Sequence, residues 1–202
     1  RDVATRVLDN KSVEQLMQEL SETNTELTRN LAELKAVTDA KTLIEGELKV
    51  GKDIQMGLLP TAFPCTDRFE LNARLLPAKE VGGDFYDFFE LDDGRLCFSV
   101  GDVAGKGVGA ALFMAMAKTL LKARAREGAA SPAEAVAAVN AEISKDNSAF
   151  LFITLFTCFY DSKTGQLSYT NAGHNPPLLK RGGGLSTLRE LHGPVVGIQE
   201  DA

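Results

Sequence analysis

From Val13 onward apolar side chains return every seven residues, at Val13, Leu20, Leu27, Leu34 and Leu48, with a companion series at Leu16, Val37 and Ile44. A seven-residue apolar repeat without proline specifies a long helix, because a period of 3.5 keeps one narrow seam on one face. A lone helix would leave that seam in water. The expected arrangement is therefore a parallel homodimer through a coiled coil over about residues 13–50, within a linker spanning residues 1–59. Thr23, Asn30 and Lys41 interrupt the seam. Polar residues at core positions cost stability but fix register and favour two strands over larger assemblies. On the residues alone this is a dimerising stalk.

Gly51, Gly57 and Pro60 close the helix, and a globular part is expected over residues 60–202. Residues 69–76, 85–91 and 95–103 read as strands, the last two joined by the turn Asp92-Asp93-Gly94. Residues 108–126, rich in Ala, Leu and Met, read as a largely buried helix with Met114 and Met116 as core filler. Ser131-Pro132-Ala133-Glu134 is a capping box with proline at the first helical position, opening a second helix to about residue 144. Strands follow at 150–160 and 166–170, then a hairpin of 178–181 with 185–188 around three glycines. Strands, two helices and strands again imply an α+β domain with antiparallel sheets.

Two short acidic stretches carry the chemistry, Gly82-Gly83-Asp84-Phe85-Tyr86-Asp87 and Gly101-Asp102-Val103-Ala104-Gly105-Lys106-Gly107. Each sets an aspartate among glycines, which permit tight turns and close approach of a ligand. The hairpin between them returns Asp84 and Asp102 to one end of the sheet, where paired carboxylates suit a hard divalent cation and its water. The competing reading is plain turn capping by both. The second stretch also looks like a phosphate cradle with Lys106 in it. It lacks the Walker spacing and the terminal lysine-serine or lysine-threonine pair, so a kinase or nucleotidase is set aside. Lys106 is then a solvated lysine or a contact for substrate phosphate. His174, in Asn171-Ala172-Gly173-His174-Asn175-Pro176-Pro177, either shapes a turn or serves as a general acid or substrate contact. No serine, cysteine and histidine constellation points to a covalent nucleophile.

A net charge of −6, from 22 basic and 28 acidic residues without a basic run, disfavours nucleic acid as a partner. No stretch reaches the roughly 20 apolar residues of a membrane span, and the expected location is the cytoplasm. Cys65, Cys97 and Cys158 are odd in number and widely spaced, which fits reduced thiols better than a disulfide framework or a zinc site.

Taken in order, Ile54-Gln55-Met56-Gly57-Leu58-Leu59-Pro60, Val81 to Asp87, Val100 to Gly107 and Asn171 to Pro177 resemble the signature blocks of the SpoIIE/RsbU-like branch of bacterial PPM-type, metal-dependent serine/threonine phosphatases. The resemblance covers roughly residues 50–200. It implies an αββα sandwich, two antiparallel sheets face to face with helices outside. It further implies that Asp84 and Asp102 hold two ions, Mn2+ or Mg2+, with the Val103 carbonyl as a further ligand and water as the attacking group. Asp87, three residues on along a strand, is a second-tier candidate, as are Lys106 and His174. The implied substrate is a phosphorylated STAS-type anti-sigma-factor antagonist, and the implied helix is a linker that conducts a signal from an upstream sensor domain.

Two acidic motifs that supply further ligands in this family have no match after His192-Gly193-Pro194. The chain also opens on Arg1 rather than methionine, so it is expected to be the first portion of a phosphatase domain within something longer. By itself it should bind metal weakly and lack activity. The rival expectation is a non-catalytic dimeric signalling module with a phosphatase-like domain.

Overall fold

A computed structural model describes residues 2–77, 80–145 and 147–200. Helix α1 (Asp2–Gly57) is followed by strands β1 (Phe85–Glu90) and β2 (Leu96–Val103), and then by helices α2 (Val108–Arg126) and α3 (Pro132–Lys145). Strands β3 (Ile153–Asp161), β4 (Gln166–Ala172), β5 (Leu178–Arg181) and β6 (Gly184–Thr187) complete the chain. Contacts divide it into two compact units, the first ending at Glu47 and the second beginning at Leu48.

In the first unit the seam residues Leu20, Leu27, Leu34, Val37 and Ile44 are all exposed on the single chain. Two of the polar interruptions are occupied within their own helix. The Thr23 hydroxyl donates to the Glu19 carbonyl at 2.8 Å, and Lys41 pairs with Glu45 at 3.6 Å.

In the second unit β1 to β4 form one antiparallel sheet in the order β1-β2-β3-β4, and β5 and β6 form a separate hairpin. Alternation along β1 and β2 turns Phe85, Phe89, Cys97 and Val103 toward α2 and α3, where they join Phe113, Met114, Leu121, Val139 and Ile143 in the core. Opposite faces of a strand take alternate residues, so Asp84 and Asp102 fall on the face away from both helices. The β1–β2 turn is set by Gly94 at φ 84° and by the Asp93 carboxylate, which accepts the Arg95 N–H at 3.0 Å. At the start of α3 the Ser131 hydroxyl accepts the Glu134 N–H, while the Glu134 carboxylate accepts the Ala130 N–H, one residue ahead of the usual box.

The α+β class, the antiparallel sheets and the long first helix agree with expectation. Of the two-sheet sandwich, the described residues form one four-stranded sheet with two helices on one face, and a separate two-stranded hairpin of β5 and β6. Three local expectations need correction. Residues 69–76 form no strand: Glu70 makes a single bridge to Cys65, and the backbone groups of Thr66 and Leu71 are spent on local bonds to Phe69 and Pro64. Strand β3 starts at Ile153 rather than 150, because the Asn147 side chain bonds both the N–H and the carbonyl of Leu151 and holds that stretch as a loop. Helix α2 is buried along one stripe only. Met114 is enclosed, but Leu112 and Met116 are exposed.

Cys97 and Cys158 are buried and Cys65 is exposed, all three free. Burial pushes the Cys158 thiol up to about 12, so it is a packed, inert side chain.

Candidate metal centre at the β1–β2 strand ends

Phe85 pairs with Gly101, so the next position along sets Asp84 opposite Asp102 on the open face. Gly101 is required there because a Cβ would lie 2.4 Å from the Phe85 ring. The two carboxyl groups are within hydrogen-bonding reach of each other. Asp102 is held above the ordinary carboxylate range, first by partial burial and then by Asp84 beside it, although both side chains remain reachable from solvent. Two adjacent like charges on rigid strand ends are an arrangement that a cation relieves. The donor set is all oxygen, as a hard divalent ion prefers. The residues present therefore fit such an ion.

Val103 is buried, and its carbonyl abuts Gly83, where an added Cβ would approach to 2.7 Å. The Val103 N–H donates to the Gly83 carbonyl at 3.3 Å. Thus the residue after Asp102 is packed on the residue before Asp84. A cleft of about 230 Å³ opens here, lined among others by Gln55, Val81, Asp84, Asp102, Gly105 and Lys106. Lys106 is exposed at its edge.

His174 reaches the same end of the sheet from the turn after β4. Gly173 makes that turn at φ 74°, and a Cβ there would strike Val195 at 2.6 Å. The buried Asn171 side chain brackets His174, its amide donating to the His174 carbonyl at 3.1 Å and its oxygen accepting the His174 N–H at 2.8 Å. The ring Nδ1 hydrogen-bonds the Thr154 hydroxyl at 2.8 Å. Thr154 is the register partner of Asp102. Burial holds His174 below the ordinary imidazole value, opposed by the Thr154 contact and by the charge of Asp84.

Asp87 lies elsewhere. It faces the helices, buried, with Oδ2 2.9 Å from Lys118 Nζ and Oδ1 accepting the Phe88 N–H at 3.0 Å. The Lys118 contact is an ion pair without good hydrogen-bond direction. Asp84, Asp102, Val103, Lys106 and His174 are thus gathered at one end of the sheet, and Asp87 is turned to the opposite face. Among the described residues no group of three His, Cys, Asp or Glu side chains forms.

Two participants were not singled out from sequence. Thr154 has a signal only through register, which needs the β2–β3 pairing. Gln55 has a signal in the heptad itself: it stands seven residues after Leu48, a carboxamide where the seam calls for an apolar group.

The profile of the family described as Stage II sporulation protein E (SpoIIE) matches residues 92–202, which takes in Asp102, Lys106 and His174 and begins after Asp84. The chain belongs to that family. It is 31% identical over 160 residues to the phosphoserine phosphatase RsbU of Bacillus subtilis, covering 78% of this chain and 47% of that protein. It is 34% identical over 182 residues to Protein IcfG of Synechocystis sp., covering 77% of this chain and 29% of that one. The chain thus spans about half or less of the length of these relatives. Its fold is that of the SiaA-PP2C domain of Pseudomonas aeruginosa, with a TM-score of 0.60 at 21% identity over 78% of this chain and 64% of that domain.

Proposed function

We propose that this chain forms the metal-binding part of a protein phosphatase that removes phosphate from phosphoserine or phosphothreonine on a partner protein. The observation that carries the reading is the Asp84–Asp102 pair at adjacent strand ends. Family membership and the relative named as a phosphoserine phosphatase support it. Mn2+ or Mg2+ bound by these carboxylates and the Val103 carbonyl supplies Lewis acidity and lowers the pKa of water at the site. Asp84 and Asp102 hold and orient the centre, and Lys106 at the cleft edge contacts phosphate oxygens. His174 is neutral at pH 7, and its Nδ1 is engaged by Thr154. That leaves Nε2 to meet the substrate or hand a proton to the departing hydroxyl.

The substrate we favour is a phosphorylated STAS-type antagonist of an anti-sigma factor, so the output is sigma-factor availability. No helix of the described residues is long and apolar enough to cross a membrane, and the reduced cysteines suit the cytoplasm. Phosphate release from a phosphoserine protein tests the reading. A chain extended to the length of the relatives should hydrolyse it with manganese, and residues 1–202 alone should show little turnover. Turnover undiminished by a chelator would refute metal assistance. The absence of a third ligating side chain among the described residues favours, as a second reading, a module that binds without turnover. Capture of the phosphoprotein without phosphate release by the extended chain would establish it.

The linker belongs to the proposal as a parallel homodimer through α1 that carries input from an upstream sensor domain. Its support is the exposed seam. Replacing Leu27 and Leu34 together by lysine sets like charges across that seam and should give monomers. Sedimentation at ~10 µM or above is the check, since an unmodified chain that is monomeric at such concentrations lacks a specific association of useful strength.

A further inference from the structure

Among the described residues Phe150 is the one non-glycine residue with a positive φ, at 51°, and it is 81% exposed. A bulky side chain is disfavoured in the left-handed region, and an aromatic ring gains nothing from facing water. Glycine or asparagine would suit the position better on both counts. The conformation is nevertheless firmly held. The Phe150 N–H donates to the Asn147 carbonyl at 3.1 Å, and the Leu151 N–H donates to Asn147 Oδ1 at 3.0 Å. Asn147 Nδ2 in turn donates to the carbonyls of Leu151 at 2.6 Å and Gly197 at 2.7 Å. Leu151 packs against the core, so the chain enters β3 with that side chain inward and the Phe150 ring in solvent. A backbone kept in a sparsely populated region by the bonds around it is a recurrent mark of a functional surface.

What lies beside the ring follows from the register. Val103 pairs with Ile153, the Ala104 N–H donates to the Phe152 carbonyl at 2.8 Å, and Leu151 Cδ2 lies 3.9 Å from where a Cβ on Gly105 would stand. The two segments thus run side by side past the end of the ladder, and the next step sets Phe150 beside Lys106. Gly105 and Lys106 line the cleft that holds Asp84 and Asp102. Val108, two residues after Lys106, is exposed as well. On this side the rim of the cleft therefore carries a cation with apolar side chains next to it. A phosphoserine held at the aspartate pair and Lys106 lays the neighbouring residues of its own chain over that rim. Phe150 is four residues from Thr154, the register partner of Asp102. At ~3.3 Å per residue of extended chain, a substrate reaches the ring within about four positions of its phosphoserine.

We propose that Phe150 is a specificity-determining residue: its ring, beside Lys106 on the rim of the Asp84–Asp102 cleft, takes a bulky apolar side chain of the phosphoprotein within about four positions of the phosphoserine. The proposal rests on the phosphatase reading above and deepens it by naming a class of substrate sequence. A ring that is bare in the free protein releases its water only when an apolar neighbour covers it, so phosphoserines in wholly polar surroundings are the poorer substrates.

The test uses a chain extended to the length of the relatives, manganese, and phosphoserine peptides: a parent with serine at every flanking position, and a set that moves one leucine through the four positions on either side. Leucine at one or more positions should raise kcat/KM over the parent by about 10-fold, the scale of burying one such side chain, with the gain appearing in KM. Phe150→Gly removes the ring and suits the left-handed turn, so it should bring that ratio to within about twofold of one with the melting temperature level or higher. Phe150→Leu should keep most of the preference. Phe150→Asn tolerates the same turn and carries the test should the glycine variant fail to fold. Hydrolysis of p-nitrophenyl phosphate, which needs the metal pair and no flanking contact, is measured alongside. If the unmodified chain cleaves neither that ester nor any peptide, the phosphatase reading fails and this proposal with it. If it cleaves the ester and either ignores leucine or keeps its preference in Phe150→Gly or Phe150→Asn, the role of Phe150 alone is overturned.

Discussion

Asp102→Asn, in a chain extended to the length of the relatives, is expected to lower kcat/KM for manganese-dependent hydrolysis of a phosphoserine protein by at least ~100-fold, or about 2.7 kcal/mol of transition-state stabilisation. The substitution keeps the shape of the side chain and removes the charge a divalent ion needs. The same change should not damage the fold. Asp102 sits above the ordinary carboxylate range because of partial burial and the carboxyl of Asp84 beside it, so in the metal-free protein its ionisation is disfavoured. Neutralising it removes repulsion, and the metal-free melting temperature should stay level or rise. Loss of activity with an undiminished melting temperature separates a ligand from a structural aspartate. Asp84→Asn should act alike and retain more activity if one ion persists on Asp102. An active Asp102→Asn enzyme with unchanged metal dependence would remove the pair from the mechanism.

The pair was legible in the sequence because everything that places it is local. The turn Asp92-Asp93-Gly94, alternation through 85–91 and 95–103, and glycines beside each aspartate set the register with no information from elsewhere in the chain. The helices were legible for the same reason, down to the capping box at Ser131. What failed was long-range or depended on where the backbone spends its hydrogen bonds. Residues 69–76 have strand composition, but Thr66 and Leu71 close a local loop instead. The outer stripe of α2 is as apolar as the inner one, so composition could not tell Met114 from Met116. Asp87 is no such failure: it shares its motif with Asp84, but three residues along a strand it is expected to point elsewhere, and it does. One odd step along the strand turns it to the other face, where a lysine some thirty residues later meets it. Gln55 and Gly82 are 27 residues apart and pair through groups that no composition reveals.

That lysine is the basis of the largest stability effect expected. Lys118→Met should cost ~3–5 kcal/mol, because breaking a buried pair leaves the remaining charge without compensation. The Asp87 side chain is 3% exposed and the Lys118 side chain 11%, so solvent cannot take over the missing partner. Asp87 also has little else nearby: Oδ1 accepts the Phe88 N–H. The hydroxyls of its row neighbours Ser99 and Thr157 are buried without partners of their own. Urea unfolding should show the loss as a midpoint lowered by ~1–5 M for a slope of the size usual in small domains. The double variant Asp87→Leu with Lys118→Met should recover most of it, since a buried pair replaced by apolar groups of similar volume is often neutral. A single variant within ~0.5 kcal/mol of the unmodified protein would place it among ordinary surface changes, and Lys118 would then be no anchor. The recovery is the more informative half of the experiment. If the double variant regains stability and the extended chain also keeps its activity, the ion pair serves only to dock α2 on β1. If stability returns and activity does not, the pair also sets where β1 begins, at Phe85 directly after Asp84.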